Sequence, residues 1–178
     1  MGDDSDRDVR FLATVLLTAP GPTILYQREE LGLGQPRLPR AAMTDPLDLL
    51  HWSDGPGREN ARVPIPWAEG RDQGFWIGRS WLPMDWPRGA SVAVQDVGRD
   101  TNLTFYRRAA AFRRSRLRDR PLQGWSREGE VIRLMRQGAT VVLNFGTGPV
   151  PADPDPAFAS GEMGDGALPG RTAAVWLD

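Results

Sequence analysis

Val9, Leu12, Ala13, Leu16 and Leu17 recur at helical spacing, and the run "APGP" at positions 19–22 ends that helix. A short β-rich run, Thr23 to Tyr26, follows and stops at a polar turn, after which Glu29 and Glu30 sit side by side at the start of a second helix. Helix, tight break, short buried strand and polar turn at the strand's C-terminal end make up one unit of an α/β barrel. One unit does not close a barrel. Residues 34–99 show no sustained periodicity and are rich in Pro and Gly, as in "PRLPR", "DGPGREN", "VPIPW" and "WLPMDWPRG". A loop of that length is functional or disordered, and Trp67, Trp76, Trp81 and Trp86 within it argue for order. From Asp100 the pattern is helical again. Asp100 or Thr101 caps a helix whose apolar face is Leu103, Tyr106 and Ala110, with Phe112 and Leu117 on the adjoining row. The last third changes to short β-rich runs, "EVIRLMR", "ATVVLNF" and "TAAVWL", separated by turn chemistry in "QG", "GTGPVPADPDP" and "GDGALPGR". That pattern predicts a small antiparallel sheet or sandwich, with a boundary near Pro121 dividing 1–120 from 121–178.

Composition narrows the chemistry. The 178 residues are 40% hydrophobic and 25% charged, a globular balance, and no apolar run reaches the length of a spanning helix. "FLATVLL" has the look of a signal-peptide core but follows the acidic "MGDDSDRD", where such a peptide needs a basic start, so a cytoplasmic protein is expected. A net charge of −1 pulls it toward neither nucleic acid nor membrane. There is no cysteine, all 22 basic residues are arginine, and His51 is the single histidine. Disulfides, thiolate chemistry, a Schiff-base lysine, a P-loop and a histidine metal cluster are therefore excluded, and neither cofactor nor metal is expected. Seven arginines between Arg107 and Arg120 suggest a nucleic-acid helix in isolation, but without interleaved aromatics they read better as the solvated face of a barrel helix.

Several segments resemble one family in its own order. "LLTAPGPTILYQREELGL" resembles the region of the eighth barrel strand in the α-glucosidase and oligo-1,6-glucosidase branch of the α-amylase superfamily, glycoside hydrolase family thirteen. "TDPL", "GRENARVPIPW" and "GFWIGRSWLPM" resemble the long loop after that strand. "LTFYRRAAAFRRSR" resembles the eighth barrel helix, and "VIRLMR", "VVLNFG" and "ALPGRTAAVWL" resemble the C-terminal β-domain. The resemblance implies the last strand and flanking helices of a TIM (β/α)8 barrel followed by a small antiparallel β-sandwich C-terminal domain. A complete barrel needs on the order of 250 residues by itself, so 178 residues correspond to the last part of such an enzyme.

The resemblance also bears on Glu29 and Glu30. In that family the catalytic carboxylates stand on earlier barrel strands, so no catalytic residue is expected here and the chain alone should be inactive. Chemistry agrees, because a retaining glycosidase needs two carboxyl groups about 5 to 5.5 Å apart on opposite sides of one bond, and adjacent residues on a turn diverge. The pair either favours the positive end of a helix's first turn or, through Glu29, shapes a sugar-binding mouth. Arg62 occupies by resemblance the place of an arginine that faces substrate near the leaving-group sugar. Its other reading is a brace pairing with Asp45, Asp54 or Glu59. Arg58 and Trp67 belong to the same motif; a surface arginine and a loop's own small core are their plainer readings. Glu59, Asn60 and Arg28 depart from the family's aspartate and glycines, and Arg28 would be strained if that glycine needs positive φ. The implied ligands are α-glucan oligosaccharides acted on at α-glucosidic bonds of maltose or isomaltose type. The implied partner is a separately encoded N-terminal barrel portion, and the alternative is a non-catalytic carbohydrate-binding or interaction module. In either case Thr23–Tyr26, lacking strand neighbours, should expose apolar surface.

Overall fold

The computed structural model describes residues 6–36, 38–51, 57–70, 72–75, 77–78 and 80–178. They form two compact units that do not follow chain order: residues 1–26 with 105–178, and residues 27–104.

In the first unit, helix α1 (Asp6–Thr18) buries Phe11, Ala13, Thr14, Leu17 and Thr18, with Asp6 and Asp8 at its positive end. Helix α4 spans Asn102–Phe112 and widens into a π turn over Arg113–Leu117, where the Arg118 amide donates to the Arg113 carbonyl at 2.9 Å. Thr101 is the cap: its Oγ1 accepts from the Thr104 amide at 3.2 Å, and Thr104 Oγ1 accepts from the Thr101 amide at 2.9 Å. Ala109, rather than Ala110, is the alanine of the apolar face that becomes fully buried.

Seven strands follow: β1 (Leu122–Glu128), β2 (Val131–Arg136), β3 (Ala139–Asn144), β4 (Val150–Pro151), β5 (Phe158–Ala159), β6 (Ala167–Leu168) and β7 (Thr172–Leu177). They make an antiparallel five-stranded sheet in the order β1-β2-β3-β7-β5 and a two-stranded ribbon, β4-β6. Both faces are covered, which is why β3 and β7 read as continuous apolar runs rather than alternating ones. Ala139, Val141, Leu143, Ala173 and Val175 pack against Phe11 of α1 and Leu117 of the π turn, while Val142 and Ala174 pack against Leu168 of the ribbon.

Arg136 ties the helices to the sheet. Its Nε donates to the Arg120 carbonyl (2.8 Å), Nη1 to Thr18 (2.9 Å) and Nη2 to Leu117 (2.8 Å), so one guanidinium satisfies the last carbonyls of both α1 and the π turn. Burial and the neighbouring Arg113 lower its pKa from the usual arginine value. Arg113 makes a second such cap on the carbonyls of Leu17 and Ala19, both at 2.7 Å, and of Gly21. Asn144, fully buried, closes the opposite end: its Nδ2 donates to the carbonyls of Gly148, Leu168 and Pro169, and its Oδ1 accepts from the Gly146 amide.

Thr23–Tyr26 is not the strand that the sequence predicts. The segment forms no strand, and Ile24, Leu25 and Tyr26 are 85%, 43% and 56% exposed. A β-rich run becomes a strand only by pairing, and the described residues hold no parallel neighbour for it. The segment exposes apolar surface, as expected of a β-rich run without strand partners.

The second unit contains 3-10 turns at Glu29–Leu31, Arg40–Ala42 and Arg58–Arg62 and two short helices, α2 (Pro46–Leu50) and α3 (Val92–Val97). Leu38, Val63, Leu82 and Trp86 form its small core, with the Trp86 indole donating to the Pro64 carbonyl at 2.9 Å. Gln95 holds it from α3, donating from Nε2 to the Leu31 carbonyl (2.9 Å) and accepting at Oε1 from the Leu103 amide (3.1 Å).

Candidate functional site

The Arg58–Arg62 turn is positioned by carboxylates that precede it. Asp45 caps α2, accepting the Leu47 amide at 3.0 Å, with Pro46 opening the helix. One turn on, buried Asp48 accepts the Arg58 amide (2.8 Å) and the Glu59 amide (2.6 Å), satisfying the free N–H groups of the 3-10 turn. Gly57 makes this approach feasible: a Cβ there would lie 1.9 Å from Asp48 Oδ1. Glu59 is fully buried and turns back on the loop. Its Oε1 accepts from the Thr44 amide (2.6 Å), the Thr44 hydroxyl (2.7 Å) and the Asp45 amide (3.2 Å).

Arg58 and Arg62 then converge on Asp45. Arg58 Nη2 stands 2.8 Å from Oδ1 and Arg62 Nη2 3.1 Å from Oδ2, so each carboxylate oxygen takes one guanidinium. The Arg58 hydrogen bond above all, with the Leu47 amide and Arg62, holds the Asp45 carboxyl at about 2 against the opposing effect of burial. Asp45 is enclosed, whereas the side chains of Arg58 and Arg62 stay 60% and 45% exposed. The brace reading of Arg62 is thus realised through Asp45, not Glu59; Asp54 lies outside the described residues. A braced arginine is also a held one.

Arg28 adopts φ 75°, the left-handed region in which glycine is at ease and arginine strained. The site absorbs this: the guanidinium lies 5.0 Å above the Trp86 ring, and Nη2 donates to the Asn60 carbonyl at 2.9 Å. Trp67 lies outside the Asp45 cluster. It is 48% exposed, and its backbone is fixed by the Gln73 carbonyl and the Ala93 amide. Glu29 is exposed at the start of its 3-10 turn. Trp76 lies outside the described residues.

Asp45 and Asp48 are bound to arginine or main-chain N–H groups, and Glu59 is held through Oε1 by Thr44 and the Asp45 amide, while its buried Oε2 has no hydrogen-bond partner among the described residues. Among the described residues no group of three or more His, Asp or Glu side chains could hold a metal ion. Sequence reasoning missed the hub role of Asp45 and the inward turn of Glu59. The signal for the first was the "TDPL" pattern, an acidic cap before a proline.

An antiparallel β-sheet with two docked helices and a long arginine-bearing loop are the features that a comparison with known proteins has to match. The family model "Alpha amylase, catalytic domain" matches residues 1–119, and the chain belongs to the alpha-amylase family. A "Probable alpha-glucosidase" of Rhizobium meliloti (strain 1021) is 36% identical over 115 residues, covering 63% of this chain and 20% of that protein. An "Oligo-1,6-glucosidase" of Parageobacillus thermoglucosidasius is 29% identical over 126 residues, covering 59% of this chain and 22% of that protein. The crystal structure of the alpha-glucosyl transfer enzyme XgtA superposes with a TM-score of 0.77 at 25% identity, covering 97% of this chain and 36% of that one. The chain therefore spans about a fifth of the length of these curated relatives. The fold expectation stands: the structural neighbours are barrel enzymes of this superfamily, and the antiparallel sheet matches a C-terminal β-domain.

Proposed function

We propose that this chain is the C-terminal portion of an α-glucosidase-like glycoside hydrolase acting on α-glucosidic bonds of maltose- or isomaltose-type oligosaccharides, and that it does not hydrolyse them alone. The observation that carries the reading is the Asp45–Arg58–Arg62 cluster, which presents two half-exposed guanidinium groups and no carboxylate pair suited to acid/base work. Arg62 supplies hydrogen bonds to substrate hydroxyls, steadied by Asp45, and Arg58 sets the charge balance of the same oxygen pair. Trp67, half-exposed, offers a sugar ring an apolar face, and exposed Glu29 offers a hydroxyl acceptor. The nucleophile and acid/base come from a separately encoded barrel portion, which docks on the exposed Thr23–Tyr26 segment and supplies its missing strand neighbours.

Co-expression with the preceding seven barrel strands of an α-glucosidase tests this directly. The pair should release glucose from maltose or isomaltose while the 178-residue chain alone releases none, and Arg62→Ala in the pair should raise KM several-fold. Hydrolysis at an enzyme-like rate by the chain alone, or no activity in a stably associated pair, overturns the proposal.

A further inference from the structure

The ribbon side of the five-stranded sheet carries a cavity of about 550 Å³, within the range of roughly 300 to 1,000 Å³ typical of small-molecule pockets. It lies wholly in the unit that contains the β-domain. Register places its walls: Thr140 stands opposite Trp176, and Val142 opposite Arg133, so these four side chains share one face of the sheet. Asp153, just beyond β4, and Asp178, just beyond β7, complete the polar lining.

Among the described residues the side chains of Arg133, Thr140, Asp153 and Asp178 make no hydrogen bond or ion pair. The cavity therefore holds a guanidinium, a hydroxyl and two carboxylates with their capacity unspent, beside an indole. The Trp176 Nε1 is closed to solvent and finds no acceptor, so what the ring offers the cavity is its carbon surface. This combination discriminates among ligands. A small anion meets Asp153 and Asp178, and a cation meets Arg133. A neutral polyol, each of whose hydroxyls both donates and accepts, satisfies both signs at once while its C–H face lies on the indole.

We propose that this cavity is a saccharide-binding subsite for a neutral α-glucan unit, with Trp176 as the stacking platform and Arg133 and Asp153 as the donor and acceptor that fix the hydroxyls. The α-glucan class rests on the hydrolase reading above; the saccharide class rests on the lining alone. The site needs none of the catalytic barrel, so the chain by itself binds.

The test is a titration of the ¹⁵N-labelled full chain with maltotriose, followed by NMR. Saturable shifts are expected at the Trp176 indole and at the Thr140 and Arg133 amides. Arg133→Ala is expected to weaken the apparent affinity about tenfold. Asp153→Asn, at an exposed position, is expected to act in the same direction with unchanged spectral dispersion, which guards against a folding defect in the first variant. A silent cavity, or shifts confined to residues 27–104, overturns the inference. An equal response to cellotriose overturns the α-glucan assignment. Restored hydrolysis in the co-expressed pair together with a silent cavity overturns this inference alone.

Discussion

Arg136 joins three carbonyls from different parts of the chain, and it does so from a position only 7% exposed. Replacing it with methionine keeps the stem but removes the donors to the Thr18, Leu117 and Arg120 carbonyls, of which Leu117 still accepts the Arg120 amide at 3.1 Å. Arg136→Met should therefore lower unfolding stability by about 3 kcal/mol in urea denaturation, against a few tenths for Arg114→Met on the exposed face. Asp45 sets a pH limit instead. Its folded pKa of about 2 lies below the usual 3.8, so its contribution is whole above that value and fades as pH falls toward 2. Tryptophan emission should report a steeper loss of structure between pH 4 and 2 in the parent chain than in Asp45→Asn, which keeps a capping oxygen but loses the charge. None of these roles was legible by spacing. Arg113, Arg120 and Arg136 carry the same letter as the solvated Arg107, Arg114 and Arg118, and only the fold separates a cap from a surface charge. The strain at Arg28 was legible only through the family resemblance, which puts a glycine at that turn position.

At the scale of elements, legibility tracked burial. β2, β3 and β7 lie where their apolar letters predict them; β3 and β7, covered on both faces, leave runs of Val, Leu and Ala that need no context to be read, while β2 is at most half-buried apart from Arg136. β1 was invisible: "LQGWSRE" is an edge strand, almost wholly exposed, with a register shift between Leu122 and Gly124, and nothing in its letters demands pairing. Thr23–Tyr26 erred in the other direction, because its β-rich letters state a preference that only a neighbour fulfils. The exposed segment is a hazard in isolation. Ile24→Ser should reduce self-association of the purified chain in analytical ultracentrifugation while leaving its melting temperature within a few degrees of the parent, since the 85% exposed side chain has almost no packing to lose. In the co-expressed pair the same change should weaken association, which distinguishes a docking segment from an idle one.

The whole molecule divides by contact rather than by chain order, and here the sequence misleads most. A composition shift near Pro121 marks where helix gives way to strand, yet α1 and most of α4 belong with the sheet that follows them, drawn there by Phe11, Leu117 and the Arg136 carbonyl bonds. A pattern of letters records which elements form but not which of them a sheet will recruit, because recruitment depends on surface buried between distant residues. The placement has a consequence for how the molecule comes apart. Residues 1–26 and 105–178 form one folded body whose two portions are linked covalently only through the intervening 78 residues (104 − 26). A protease that severs the backbone anywhere in that span breaks the polymer without dividing the body: the two fragments migrate together under native conditions and part only when denaturant dissolves the core they share.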